Sequence, residues 1–216
     1  MYDDTDEEFG ELLQWLQRGD FRLVIVEGAR GSGKSTLIKR LLDRTSMVYY
    51  KTWGDSQKWS RHDLAKRLGL ELPQATYFVL DFLKQVDTKY PVLADRGNLS
   101  ALAYQKDRWL FTEDERRRKL EVHQYYVGLM REVRACLLFL SVDEDELVYR
   151  RVGRGAEDEQ HLHMQPAGVA RRTVQKDIDD YNEALDAMIA AGLREEFCCS
   201  LAPGATCYGF LPEGES

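Results

Sequence analysis

Short apolar runs alternate with amphipathic segments along the 216 residues of this chain. The run at 22–27 is β-branched and apolar, which is typical of a buried strand, and comparable runs lie at 47–51, 90–95, 136–142 and 197–201. Strands that alternate with helices at this spacing predict an α/β fold. We expect a central parallel sheet of about five strands with helices on both faces.

Helical periodicity fills the segments between these strands. Apolar residues recur three and four positions apart, as Tyr181, Leu185 and Met188 do near the C-terminus. The predicted helices lie at 6–18, 35–42, 60–68, 74–87, 99–110, 113–134, 143–152 and 169–191. The glycine- and proline-containing segment at 153–168 is predicted to be a mobile lid. The length of the chain and the absence of internal repeats predict one domain over residues 1–216.

Residues 28–35 match the pattern G-x-x-x-x-G-K-[ST] between a predicted strand and a predicted helix. The glycines let successive backbone N–H groups turn inward, and the helix N-terminus adds partial positive charge, so we expect the phosphates of ATP here. Lys34 is expected to reach the β- and γ-phosphates, and the Ser35 hydroxyl to bind Mg²⁺. The expected nucleotide-binding residues are Gly28, Arg30, Gly31, Ser32, Gly33, Lys34, Ser35 and Thr36.

The bulk composition narrows the function classes. Thirty basic residues against 37 acidic ones give a net charge of −7, which argues against a domain whose main task is to coat nucleic acid. No apolar run approaches the ~20 residues that a membrane span needs, and the acidic N-terminus is unlike a signal peptide. Because the four cysteines form no C-x-x-C pair, we expect reduced thiols in a cytoplasmic protein.

A second group of functional residues is predicted where the third strand ends. Asp95 ends that strand and Arg96 precedes a helix, so both are expected at the same sheet edge as Lys34. Arg96 suits a phosphate held by two hydrogen bonds, and Asp95 suits a Mg²⁺-bound water or a hydroxyl acceptor. The alternative interpretation is a purely structural Asp–Arg pair at a strand-to-helix turn.

Both segments resemble thymidylate kinases and the related deoxynucleoside kinases, which are P-loop kinases. The residues that carry the resemblance are Val26, Glu27, Gly28, Gly33, Lys34, Ser35, Thr36, Asp95, Arg96, Ser100, Ala103, Tyr104 and Gln105. The resemblance implies a P-loop NTPase fold in which ATP lies on residues 28–36 and Arg96 holds the acceptor phosphate or bridges the donor and the acceptor. It also implies an acceptor pocket lined by Ser100, Tyr104 and Gln105.

The same resemblance implies a lid arginine and an assembly. Arg150, Arg151 or Arg154 would close over the transferring phosphoryl group, and a homodimer would pack through helices near 75–125.

Three positions depart from the thymidylate kinase pattern. Arg30 stands where the family usually carries an acid that contacts the sugar hydroxyl. Residues 51–55 replace the family's Arg-Glu-Pro-Gly segment, and Gly97 replaces an aromatic residue or a histidine. The ATP half of the pattern is therefore intact and the acceptor half is altered, which leaves the identity of the acceptor open.

Three functions compete on these observations. The leading one is ATP- and Mg²⁺-dependent phosphorylation of a deoxynucleoside monophosphate. The second is a kinase for a hydroxyl group, either of a deoxynucleoside or of a modified base in DNA, with Asp55 or Asp95 as the base. Nucleic acid would be a partner only in that case. The third is a nucleotide-dependent switch or ATPase.

The expected site residues fall into three groups. The catalytic residues are expected to be Lys34, Asp95, Arg96, Arg150 and Arg154. The acceptor-binding residues are expected to be Asp55, Arg96, Ser100, Tyr104 and Gln105. Ser35 and Asp95 are the expected metal ligands, and no membrane partner is expected.

Overall fold

The architecture comes from a computed structural model, which describes residues 6–51, 89–97, 99–100, 103, 124–153, 167–199 and 205–209. The strands are β1 (Leu23–Gly28), β2 (Val48–Lys51), β3 (Val92–Asp95), β4 (Ala135–Leu140), β5 (Arg194–Cys199) and β6 (Ala205–Gly209). The helices are α1 (Asp6–Gly19), α2 (Lys34–Arg44), the described part of α3 (124–132), α4 (Glu144–Gly153) and α5 (Ala167–Ala190). Residues 99, 100 and 103 are also helical.

The six strands form one sheet in the order β2-β3-β1-β4-β6-β5. The first four in the chain are parallel, with β1 between β3 and β4. All six residues of β1 and all six of β4 are buried, as the apolar runs predict. The carboxyl ends of β1, β2 and β3 therefore meet at one edge of the sheet.

The C-terminal end of the sheet differs from the prediction. β5 begins at Arg194, three residues before the predicted strand, and β6 lies in the glycine- and proline-rich tail where no strand was expected. Both strands are antiparallel to their neighbours, so the sheet is mixed and has six strands. The connection at 200–204 is the physical reason, because five residues are too few for a parallel crossover and suffice for a hairpin.

Helices cover both faces of the sheet, as predicted. Leu23 and Ile25 of β1 pack in a core layer with Tyr181, Leu185 and Met188 of α5, which confirms the predicted apolar stripe. On the opposite face, alternate β1 residues pack against α1 and α2. That second layer includes Val24, Val26, Phe9, Leu12, Leu37, Ile38 and Leu41. Successive residues of β1 thus point to opposite faces of the sheet and contribute to both core layers.

The predicted helices agree with the structure wherever the chain is described. Both ends of α1, α2, α4 and α5 lie within two residues of the predicted bounds. The helices predicted at 60–68 and 74–87 lie outside the described residues, as does the lid at 153–168 apart from its ends. Gly153 is the last residue of α4, and α5 already begins at Ala167. Among the described residues, no helix is both long enough and apolar enough to cross a membrane.

Candidate active site

The glycine loop joins β1 to α2, as its sequence pattern predicts. Gly28 has φ 139°, and a Cβ placed there would lie 2.6 Å from the Leu140 carbonyl oxygen, so the position requires glycine. Gly33 has φ 97° and caps α2, where its carbonyl oxygen accepts from Thr36 N at 3.0 Å and Leu37 N at 3.1 Å. Ser35 and Thr36 follow in the first turn of α2 and are exposed. The loop and helix therefore have the geometry of a phosphate-binding site.

Lys34 lies under this loop with its side chain buried. Its Nζ donates to the carbonyl oxygens of Gly28 and Ala29, each at 2.8 Å, and lies 3.4 Å from Ser32 Oγ. Burial, with the positive charge of Arg96, lowers the pKa of Lys34 to about 7, against the opposing effect of Glu27. The Lys34 amino group is thus held against the loop by two of its carbonyl oxygens.

Arg96 sits in the turn that follows β3. Its φ of 73° is left-handed, which is uncommon for a residue with a side chain, and its backbone N–H donates to the Val26 carbonyl oxygen at 3.0 Å. Its Nη1 donates to Ser100 Oγ at 3.1 Å and to Tyr181 OH at 2.8 Å. The turn is therefore attached to β1, two residues before the glycine loop begins.

Glu27, which carries part of the family resemblance but was not predicted to be a site residue, lies at the end of β1 beside the turn that holds Arg96. Its side chain is fully buried, and Oε1 accepts from Gly97 N at 2.7 Å and from Ser100 N at 3.0 Å. Oε2 accepts from the Ser100 hydroxyl. Burial raises the pKa of Glu27, while its hydrogen bonds and the charge of Arg96 act in the opposite direction. The signal in the sequence was an acid inside an apolar strand, directly before the loop.

Two arginines of α4 contact the loop from its other side. Arg150 donates to Glu146 Oε1 at 2.7 Å, and its Nη1 lies 3.4 Å from the Gly31 carbonyl oxygen. Arg151, which is 4% exposed, donates to the Arg30 carbonyl oxygen at 2.8 Å and to Asp177 Oδ2 at 2.7 Å. Of the predicted lid arginines, the structure thus brings these two to the loop.

Ser35 and Asp95, the predicted metal ligands, both lie among the described residues. Asp95 is half-buried at the end of β3, and its Oδ2 accepts from Tyr49 OH at 3.4 Å. Its negative charge partly opposes the lowering of the Lys34 pKa. A hydroxyl and a carboxylate are hard oxygen donors, which fit Mg²⁺ that also keeps waters and substrate phosphates. Within the described ranges, no group of three or more His, Cys, Asp or Glu residues could bind a metal alone.

The remaining predicted site residues are either turned away from this arrangement or lie outside the part of the chain that the structure describes. The Arg30 side chain is exposed, while its carbonyl oxygen accepts from Arg151. Asp55, Tyr104, Gln105 and Arg154 lie outside the described residues. Among the described residues, Lys34, Asp95, Arg96 and Arg150 gather at the edge where β1 and β3 end.

Comparisons with known proteins agree with this fold. No protein-family model and no curated protein matches the sequence. YorR from Bacillus subtilis, solved in complex with phosphorylated GDP, aligns with a TM-score of 0.51 and 21% identity over 80% of this chain and 82% of that chain. Polyphosphate kinase 2 from Arthrobacter aurescens TC1 aligns with a TM-score of 0.52 and 14% identity over 84% of this chain. The aligned part is 65% of that longer chain.

These likenesses show the α/β fold of P-loop kinases. Neither structure singles out the thymidylate kinases within that class.

Proposed function

We propose that this protein is a kinase that transfers the terminal phosphoryl group of ATP to the phosphate of a deoxynucleoside monophosphate. The observation that carries the proposal is the convergence of cations on one glycine loop. Lys34 donates to the Gly28 carbonyl oxygen, the Arg96 backbone is bonded to Val26 two residues before the loop, and Arg150 reaches the Gly31 carbonyl oxygen. Phosphoryl transfer depends mainly on positioning and on neutralising negative charge, which is what such a set supplies.

Each residue has a defined part in the proposed reaction. Lys34 holds the β- and γ-phosphate oxygens, Arg96 orients the acceptor phosphate, and Arg150 stabilises charge on the transferring group. An acceptor oxygen bonds to the γ-phosphorus while the bond to the β–γ bridging oxygen breaks, which leaves ADP. Mg²⁺ on Ser35 and Asp95 would add charge neutralisation between the phosphates.

A phosphate acceptor agrees with the engagement of Glu27, because such an acceptor does not need a carboxylate as a base. A phosphate is already an anionic nucleophile at neutral pH and needs no general base. The carboxyl group of Glu27 is buried and engaged by Gly97 and Ser100, so it is not offered to a substrate. The named ligand of YorR, phosphorylated GDP, supports nucleotide chemistry on this fold.

A hydroxyl acceptor is the second candidate, and Asp95 is the observation that favours it. This half-buried carboxylate lies at the end of β3, near Lys34, where it could take a proton from a deoxynucleoside or from a modified base in DNA. Asp55, the other predicted base, lies outside the described residues.

A transfer assay separates the candidates. The protein is incubated with Mg²⁺ and ATP labelled at the γ-phosphate, together with deoxynucleosides, their monophosphates or DNA. We expect label on monophosphates alone, and no label with Lys34→Met. Label on nucleosides or on DNA would support the hydroxyl acceptor instead. Release of inorganic phosphate without any labelled acceptor would support the ATPase and contradict the proposal.

The predictions about location, domain organisation and assembly rest on the sequence alone. A cytoplasmic location, a single domain over 1–216, and a homodimer packed through 75–125 are expected on the reasoning from the sequence. Tyr104 and Gln105 keep their proposed place in the acceptor pocket, and Arg154 its place in the lid.

A further inference from the structure

A chain of buried polar side chains connects the middle of α5 to Arg96. Tyr181 is 1% exposed and carries a hydroxyl group within an apolar stripe. Ser100, which contacts that hydroxyl, and Glu27, which contacts Ser100, are fully buried. A buried hydroxyl or carboxyl group destabilises the fold unless it is hydrogen-bonded. All three are hydrogen-bonded here, and they connect three separate elements of the fold.

Counting protons gives the direction of these hydrogen bonds. Glu27 accepts two backbone N–H groups on Oε1 and the single Ser100 proton on Oε2, as a carboxylate would. Because that Ser100 proton is used, the Tyr181 hydroxyl must donate to Ser100 Oγ, 2.6 Å away. The lone pairs of Tyr181 and Ser100 then accept from Arg96 Nη1. Donation therefore runs from Arg96 through Tyr181 and Ser100 to Glu27.

The same hydrogen bonds hold an unfavourable backbone conformation. The left-handed φ of Arg96 is unfavourable for a residue with a side chain and persists only where its surroundings fix it. Glu27 binds the backbone N–H groups of Gly97 and Ser100, the next turn of the chain, and Val26 binds that of Arg96. Glu27 and Ser100 thus help to fix both the backbone of the turn and the guanidinium group of Arg96.

One face of α5 contacts both sides of the site. Asp177 and Tyr181 are four residues apart, so they share a face of the helix. Asp177 pairs with Arg151, which also donates to the Arg30 carbonyl oxygen of the glycine loop. Tyr181 accepts from Arg96. The relative position of loop and arginine is therefore set through α5.

We propose that Tyr181, which accepts directly from Arg96 and is itself held by Ser100 and Glu27, is a positioning residue that fixes the Arg96 guanidinium for phosphoryl transfer. The inference deepens the proposed function, because it rests on Arg96 as the group that holds the acceptor phosphate. It also gives Ser100 a part in orienting Arg96 through a buried hydroxyl.

The test removes only the hydroxyl group. Tyr181→Phe keeps the ring that packs 6.2 Å from the ring of Phe139, so the core retains its volume. We expect kcat to fall about 10-fold, while the Kd for Mg-ATP stays within about 2-fold. Tyr149→Phe is the matched control, because Tyr149 is 73% exposed, and it should leave kcat unchanged.

A double-mutant cycle separates positioning from a general loss of structure. In the Arg96→Ala background, Tyr181→Phe should change kcat less than about 2-fold, since its effect passes through the missing guanidinium. If the two losses multiply, Tyr181 acts independently of Arg96 and the positioning proposal is wrong.

A chemical measurement tests the role of Tyr181 in positioning Arg96 without any acceptor. Phenylglyoxal modifies arginine side chains, and mass spectrometry reports the rate at Arg96. Tyr181→Phe should raise that rate at least about 3-fold by freeing the guanidinium, whereas Tyr149→Phe should not. An unchanged rate would overturn the positioning proposal. A wild-type protein that labels no monophosphate would contradict the proposed function alone, since the Arg96 rate still tests the positioning.

Discussion

Lys34 combines a buried charge with the position that the loop pattern assigns to phosphate binding. Its replacement by methionine keeps the length of the side chain and removes the ammonium group. We expect Lys34→Met to lower the transfer rate about 100-fold or more, because a charge aimed at the reacting phosphate is lost. Thermal unfolding should show a Tm that is unchanged or higher, since burial of the ammonium opposes folding.

Lys39→Met is the matched control for that variant. Lys39 lies on the same helix and is exposed, so both the rate and the Tm should stay close to wild type. An equal loss of rate in the two variants would remove Lys34 from the site.

The depressed pKa of Lys34 also predicts how binding depends on pH. In the folded chain its pKa is about 7, against 10.5 ordinarily, so at pH 8 most of the folded molecules carry a neutral lysine. Phosphates favour the charged form, so Mg-ATP binding at pH 8 should take up close to one proton. Calorimetry in two buffers of different ionisation enthalpy measures this uptake, which Lys34→Met should abolish. Binding without proton uptake would contradict the lowered pKa.

The same shift has a defined sign for stability. Between about pH 7 and 10.5 the unfolded chain holds more protons on Lys34 than the folded chain does. Its contribution to the free energy of unfolding therefore rises with pH across that window and is constant below it.

At the scale of elements, the junction of β1 with the glycine loop tolerates no side chain. Gly28→Ala places a Cβ 2.6 Å from the Leu140 carbonyl oxygen and at a strained φ, so it should lower the free energy of unfolding by about 2 kcal/mol or more. Gly10→Ala is the control, because a Cβ at that helical position meets nothing within 4 Å. It should stabilise the protein by about 0.5–1 kcal/mol. Urea denaturation of both variants measures the difference.

The contact between α4 and α5 is a second feature at this scale. Asp177→Ala leaves the buried Arg151 guanidinium without its carboxylate, so we expect a loss of about 2 kcal/mol in the free energy of unfolding. Asp145→Ala breaks an exposed pair with Arg171 and should cost at most about 1 kcal/mol. Chemical denaturation measures the free energy of unfolding of both variants. Equal losses would show that burial of Arg151 does not increase the cost of removing its carboxylate partner.

At the scale of the whole molecule, a net charge of −7 coexists with a cluster of basic side chains around one glycine loop. Lys34, Arg96, Arg150 and Arg151 each have a carboxylate nearby, so most of their charge is balanced within the fold. A ligand that binds only the folded state stabilises it, and Mg-ATP at 100 times its Kd should add about 2.7 kcal/mol. Thermal unfolding with and without Mg-ATP measures this gain. No shift with wild-type protein at saturating Mg-ATP would argue against a nucleotide site.

Local features of the fold were predictable from the sequence. The period of two in β1, the period near 3.6 in α5 and the conformational demands of the glycines in 28–33 are properties of neighbouring residues. They determined the parallel strands, the covering helices, the position of Lys34 and the placement of Asp95 and Arg96 at the same edge.

Only the tertiary structure decided the contacts between distant segments. Arg96 and Tyr181 are 85 residues apart, and Ser100 and Glu27 are 73 apart, so no local pattern couples them. β6 escaped prediction for the same reason: its five residues become a strand by pairing with β4 and β5. A hydrogen bond between side chains or between strands forms only when the fold brings its donor and acceptor together. The linear sequence does not give the distance between those groups or their relative orientation.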